Sequence, residues 1–155
     1  MSFRVTGLSA ELFSPLFGLP DEVLAARGVV RHTVETRPAA PCRITLDDAE
    51  VGETVLLLNY EHQDADTPYR SRHAIFVREA AGEAAVFENE MPPALARRLL
   101  SVRAFDADHM MIDAEVVEGA EAEPLIDRLL ADDRCAYLHA HFARRGCFAA
   151  RIDRR

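Results

Sequence analysis

Apolar and polar residues alternate over many short stretches of this chain, and this period of two predicts a protein built mainly of β-strands. Strands are expected at 3–8, 29–36, 43–46, 54–62 and 72–79, as a pair around residues 106–108 within 101–119, and as a terminal pair at 135–142 and 147–153. The stretch at 54–62, TVLLLNYEH, is the most continuously apolar of these. It is therefore the most convincing candidate for a buried strand.

Three other segments carry apolar residues at helical spacing, namely 21–27, 92–100 and 123–133. Residues 9–19 show the same spacing, but Pro15 limits them to short turns. Strands and helices do not alternate regularly, which favours an α+β fold with a mainly antiparallel sheet and a few short helices. A chain of 155 residues matches one ordinary domain, so we expect a single globular domain over 1–155.

The C-terminal stretch AYLHAHFARRGCFAARIDR predicts a β-hairpin with two different faces. A three-residue loop at 144–146 with a left-handed Gly146 is a common hairpin connection, and it places Ala143 opposite Cys147. In that register the apolar face pairs Phe142 with Phe148, Ala140 with Ala150 and Leu138 with Ile152. The other face pairs His141 with Ala149, His139 with Arg151 and Tyr137 with Asp153. One face would belong to the core, and the other would carry the chemistry.

The polar face of this hairpin has several interpretations. His139 and His141 point the same way, as two metal ligands would, but a third ligand is needed and no other histidine has a spacing tied to them. Cys147 is a candidate nucleophile with His139 or His141 as its base, although diagonal neighbours on paired strands lie far apart for such a dyad. Tyr137, His139, His141 and Arg151 could instead bind a carboxylate or phosphate. In the structural alternative, Arg151 pairs with Asp153 and the histidines are packing residues.

A second polar cluster follows Pro68. Tyr69 could stack on a flat ligand and Arg70 could hold an anion, with His73 close by, or the segment could be an ordinary surface loop. Arg43 is a further candidate binding residue at a sheet end, and if it is buried it must have partners.

Charge and composition narrow the classes of function. The net charge of −8 argues against binding to nucleic acid or to an anionic membrane. The charge is uneven: 44–69 holds seven acidic residues and no arginine, whereas 134–155 holds six arginines and one aspartate. This asymmetry could orient a homodimer, favour a small anion at the basic end, or reflect only solvated faces.

Several absences exclude common chemistries. All 18 basic residues are arginine, which excludes a Schiff-base lysine and a phosphate-loop lysine. No GxGxxG, GxSxG or HExxH motif occurs, and no motif requires a cofactor. Three cysteines without CxxC spacing, and no apolar signal segment, predict a protein of the reducing cytoplasm.

Four stretches together resemble the bacterial family called domain of unknown function 1203. They are APCRITLDDAEVGETVLLLNYEH, TPYRSRHAIFVRE, RLLSVRAFDADHMMIDAEVVEG and YLHAHFARRGCFAARIDR. The pairs Cys42-Arg43 and Gly146-Cys147 and the segment 68–70 are the most specific parts. The resemblance implies a small cytoplasmic bacterial protein and supplies no catalytic residues.

The sequence thus favours a domain that binds a small anion on the polar face of the hairpin. A small enzyme using the same histidines with Cys147 or a metal, and a homodimeric module without a pocket, are the alternatives.

Overall fold

The computed structural model describes residues 2–155, which fold into two antiparallel sheets and three short α-helices. The strands are β1 Phe3–Thr6, β2 Val30–Thr33, β3 Thr54–Gln63, β4 Ser71–Arg78, β5 Val86–Glu88, β6 Leu99–Phe105, β7 Met111–Glu118, β8 Tyr137–Phe142 and β9 Phe148–Arg154. The helices are α1 Asp21–Ala26, α2 Pro93–Ala96 and α3 Glu123–Leu130. The prediction of an α+β fold with a mainly antiparallel sheet is confirmed.

The larger sheet has six strands in the order β5-β1-β9-β8-β6-β7, and the smaller has three in the order β2-β3-β4. One face of the larger sheet packs against α2 and α3, through Ala94, Leu95, Ile126, Leu129 and Leu130. The other face meets β3 of the smaller sheet. The central strand β8 is buried along its whole length because it lies between these two layers.

A second apolar core lies within the smaller sheet. Leu56 and Leu58 of β3 pack there with Ile75 and Val77 of β4, against the N-terminal turns at Ala10–Leu12 and Ser14–Leu16. The 54–62 stretch is a strand, as its apolar run predicts, but within it only Val55, Leu56 and Leu58 are buried, whereas β8 is buried throughout. No helix among the described residues is long and apolar enough to span a bilayer.

The structure corrects two predicted elements. Residues 43–46 are not a strand: they form a turn in which the Leu46 N–H bonds to the Cys42 carbonyl and Leu46 has a φ of 56°. Four residues are too few for alternation to separate a strand from a turn. The helix predicted at 92–100 ends at Ala96. Leu99 is already the first residue of β6, because β6 pairs with both β7 and β8.

Candidate functional site

The polar face of the terminal hairpin is covered by the smaller sheet. His139 and His141 are 5% and 2% exposed, and Tyr137 is also buried. His62 of β3 lies edge-on to both histidines, with ring centroids 6.2 Å from His139 and 4.9 Å from His141. The expected pocket over these residues is therefore absent from the described structure, because a second layer of protein occupies that space.

Two β-bulges lie beside the histidine cluster, which comprises His62, His139 and His141. In β3 the register shifts between Tyr60 and Gln63, and the adjacent residues His62 and Gln63 both contact the larger sheet. An extra residue in one strand of a pair re-aims side chains in this way. The second bulge lies in β9 and changes the predicted register of the hairpin.

The predicted hairpin register holds only away from the loop. Leu138 pairs with Ile152, His139 with Arg151 and Ala140 with Ala150, but His141 pairs with Phe148 instead of Ala149. The Phe142 N–H then bonds to the Cys147 carbonyl, closing a four-residue loop at 143–146 in which Gly146 has a φ of 83°. The bulge at Ala149 places Phe148 on the histidine face, where its ring stacks on His62, and leaves Cys147 opposite Phe142.

Burial keeps the three imidazoles neutral. It lowers the pKa of His139 and His141 from 6.5 to about 3, and that of His62 to about 4. The Nδ1 atoms of His62 and His139 have no hydrogen-bond partner within residues 2–155. No group of three or more His, Cys, Asp or Glu side chains in the same range is placed to hold a metal ion. The cluster is thus a packed seam between the sheets.

The remaining residues of the expected hairpin site have partners of their own. The Tyr137 hydroxyl accepts a hydrogen bond from Gln63 Nε2 at 2.9 Å and lies 2.7 Å from His109 Nδ1. Arg151 pairs with Asp153 at 2.9 Å and places its guanidinium 4.2 Å from the centre of the Tyr137 ring. Arg151 thus forms the ion pair with Asp153 that the sequence offered as the alternative to ligand binding.

The cluster at 69–73 is divided between two environments. Arg70 pairs with Glu61 at 3.2 Å, and the Tyr69 ring packs edge-on against Phe105. His73 instead lines a cleft at the loop end of the hairpin, together with Phe142 and Cys147. Tyr69 and Arg70 do not line that cleft.

A cleft of about 500 Å³ opens between the two sheets at the loop end of the hairpin. Its apolar walls include Pro41, Leu57, Phe76, Leu99 and Phe142. Its charged and reactive lining comprises Arg43, His73, Arg97, Arg98, Glu118, Arg144, Arg145 and Cys147. We call this feature the arginine cleft. It gathers three sequence candidates, Arg43, His73 and Cys147, which come from segments far apart in the chain.

The arginines of the cleft differ in how their charge is balanced. Asp48, whose side chain is fully buried, pairs with Arg98 at 2.6 Å and with Arg97 at 3.0 Å. Arg144 and Arg145 lie exposed in the hairpin loop and form no ion pair with any carboxylate of residues 2–155. The loop thus brings two uncompensated positive charges to the rim of the cleft.

Arg43 forms the floor of the cleft and is 2% exposed. Its Nε donates to the Phe148 carbonyl at 2.8 Å and its Nη1 to the Pro41 carbonyl at 2.6 Å. Its guanidinium also lies 4.8 Å from the centre of the Phe142 ring. Burial lowers the pKa of Arg43 from 12.5 to about 10, which still leaves it charged at neutral pH.

Sequence reasoning missed Arg97, Arg98, Arg144 and Arg145 as site residues. The net positive charge after residue 134 was a usable signal for the loop pair, since it favours a small anion at that end. Arg97 and Arg98 carried no such signal. They reach the cleft only because α2 ends at Ala96 and the chain then turns into β6.

Together, fold and cleft define a small α+β domain with a ligand-sized cationic cleft. The chain belongs to the family described as Protein of unknown function (DUF1203), whose model matches residues 39–154. The resemblance seen in the sequence is thereby confirmed. No curated protein and no solved structure matches the chain.

Proposed function

We propose that this protein binds a small organic anion in the arginine cleft. The main observation in support is that Arg144 and Arg145 lie at the rim of a ligand-sized cavity. Neither arginine has a carboxylate partner among the described residues. A volume of about 500 Å³ falls within the range of small-molecule sites. Guanidinium groups match carboxylates and phosphates in two-point hydrogen bonding, and desolvation strengthens that attraction.

The walls of the cleft narrow the class of ligand. Leu57, Phe76 and Phe142 present apolar surface next to the charged rim. A ligand that fills such a cleft combines a carboxylate or phosphate with an apolar or flat body. An inorganic anion would contact only the arginines at the rim and none of the apolar walls. We therefore expect inorganic anions to bind more weakly than organic ones.

The proposed setting is a bacterial cytoplasm. The three cysteines are all free and buried, which suits a reducing compartment. The net charge of −8 supports neither nucleic acid nor an anionic membrane as partner. The homodimer remains a second candidate, for which the charge asymmetry is the motivating feature.

The experiment is a thermal-shift series with phosphate, dicarboxylates, aromatic carboxylates, sugar phosphates and nucleotides. A ligand at 100 times its Kd adds about 2.7 kcal/mol to stability. The Arg144→Ala/Arg145→Ala protein should lose the shift produced by the best ligand. Arg128→Ala/Arg134→Ala is the matched control, since it removes two exposed arginines that lie elsewhere and pair with Asp113 and Asp132.

The proposal predicts that the control variant keeps the shift of the wild-type protein. It is wrong if no anion of the series raises the melting temperature, or if both double variants lose the shift equally. Calorimetric titration of the best ligand then gives the affinity directly.

A further inference from the structure

Arg43 is a buried cation without a carboxylate partner in residues 2–155. Its remaining donor, Nη2, lies 3.0 Å from Sγ of Cys147. The other two partners are backbone carbonyls, which solvate the charge but do not neutralise it. A buried charge is expensive unless it is paired. Cys147 is the one ionisable side chain within hydrogen-bond distance of this guanidinium among the described residues.

Cys147 also differs from the other two cysteines in access. It lines the arginine cleft and is 7% exposed, whereas Cys42 and Cys135 are each 1% exposed and line no part of it. The Cys135 thiol faces the Tyr137 carbonyl, and the Cys42 sulfur accepts backbone N–H groups of Ile44 and Arg78. Only Cys147 combines a neighbouring guanidinium with an opening to the cleft.

We propose that Cys147, whose sulfur accepts a hydrogen bond from Arg43, exchanges with disulfides of small acidic thiols bound in the arginine cleft. Thiolates beside a cation are the reactive form of cysteine. In the reaction the Cys147 sulfur attacks one sulfur of the bound disulfide and forms a mixed disulfide. The sulfur–sulfur bond of the reagent breaks, and its second half leaves as a thiolate with the electron pair. No further oxidant or reductant is needed.

The rim of the cleft explains the preference for acidic disulfides. Arg144 and Arg145 directly precede Gly146 and Cys147, so a carboxylate held by the loop brings its disulfide to the sulfur. This step rests on the proposed function for its anion preference. The reactivity of Cys147 itself rests only on Arg43.

The test compares three disulfides on the full-length protein: anionic dithiobis(nitrobenzoate), neutral dithiodipyridine and cationic cystamine. Rates are normalised to those of a free model thiol, and peptide mass mapping identifies the modified cysteine. We expect one equivalent to react, at Cys147, with the anionic reagent about tenfold or more ahead of the cationic one after normalisation. Cys147→Ser should abolish the reaction, and Cys42→Ala/Cys135→Ala should leave it unchanged.

Two further variants keep the outcomes distinct. Arg144→Ala/Arg145→Ala should remove the charge preference. Arg128→Ala/Arg134→Ala, which removes two exposed arginines outside the cleft, should leave the preference and the rates with all three reagents unchanged. Mapping on the wild-type protein does not depend on any variant folding.

The proposal is overturned if Cys147 is modified no faster than Cys42 and Cys135, or only after unfolding. Binding of non-reactive aromatic carboxylates to Cys147→Ser tests the proposed function separately. If that binding persists while exchange is absent, the anion site stands and the reactivity of Cys147 does not. If exchange occurs without a charge preference, the reactivity of Cys147 stands and the anion site does not.

Discussion

The imidazole of His62 lies edge-on to that of His141, with centroids 4.9 Å apart and ring planes at 80°. This contact, together with those to His139 and Phe148, joins β3 of the smaller sheet to β8 and β9 of the larger one. The two layers therefore meet through side chains that can acquire charge. The stability of this contact between the sheets therefore depends on pH.

Acidification should unfold the protein before its carboxylates are protonated. Unfolded histidine has a pKa near 6.5, whereas burial holds those of His139 and His141 at about 3 and that of His62 at about 4. Between these values the unfolded chain binds more protons, so the free energy of unfolding falls as the pH falls. One pKa unit corresponds to about 1.36 kcal/mol. Urea unfolding followed by circular dichroism at pH 7.5, 6.5, 5.5 and 4.5 should show a loss of several kcal/mol, on the order of the total stability.

The carboxylates act in a lower window. The arginine partners of Glu79 and Asp132 hold the pKa of each carboxyl at about 2. Protonation of these two groups therefore lowers the free energy of unfolding only below about pH 4.5, near the ordinary carboxylate pKa. Stability that stays constant from pH 7.5 to 5 and then falls would contradict the role of the histidines.

Replacing His139 with Phe should stabilise the protein. The Nδ1 atom of His139 has no partner in the described structure, and the ring already packs within about 5 Å of Phe105, Tyr137 and Phe148. An unsatisfied buried polar atom costs about 1–3 kcal/mol, so we expect a gain on the order of 1 kcal/mol at neutral pH. The stability curve between pH 7 and 5 should also flatten. His32→Phe, at an exposed position on β2, is the control and should leave that curve unchanged.

Asp48 should contribute far more to stability than an aspartate in an exposed ion pair, such as Asp113. Its fully buried carboxylate holds both Arg97 and Arg98 beside the cleft. Breaking a buried pair leaves uncompensated charge, so Asp48→Asn should cost about 3 kcal/mol in urea unfolding. Asp113→Asn, which breaks an exposed pair with Arg128, should cost about 0–1 kcal/mol. Equal losses in the two variants would show that Asp48 does not have this role.

Gly119 should tolerate no side chain. A Cβ at this position would lie 1.8 Å from the Leu95 carbonyl oxygen and 2.8 Å from that of Arg98, and both are backbone atoms that cannot move independently. Gly119→Ala should therefore cost about 1–3 kcal/mol, by thermal or urea unfolding. It should also weaken anion binding, because it displaces the segment that carries Arg97 and Arg98.

Gly82→Ala is the matched control for this substitution. A Cβ at Gly82 meets nothing within 4 Å, so we expect a change within about 0.5 kcal/mol. A Gly119→Ala protein as stable as this control would contradict the close packing of Gly119 against the Leu95 and Arg98 carbonyls.

Much of the fold was readable from local pattern. The apolar run at 54–62, the stripe on the last helix and the terminal hairpin all appear at the expected places, because each is specified by the periodicity of a short segment. Errors arose where neighbours compete for the same residues. Leu99 and Leu100 fit the apolar side of a helix or of a strand, and pairing with β7 and β8 decided for the strand.

The candidate site was predicted only in part. Arg43, His73 and Cys147 were recognised by residue type and do line the cleft, but the hairpin histidines were expected there too. They lie in the interior because the smaller sheet covers them, with His62 brought against them by a bulge after Tyr60, and neither feature leaves a local signature. A single extra residue changes which side chain faces which layer.

By itself the sequence determined the kinds of element, the antiparallel character of the sheets and the restriction of all basic chemistry to arginine. These follow from the side-chain period of helices and strands and from composition, which need no knowledge of distant contacts. Only the tertiary structure decided which face of the hairpin is covered and which arginines share a cleft. Packing of the two layers brings together residues as far apart in the chain as Arg43 and Cys147. A contact over such a long sequence separation produces no periodic pattern from which it could be predicted.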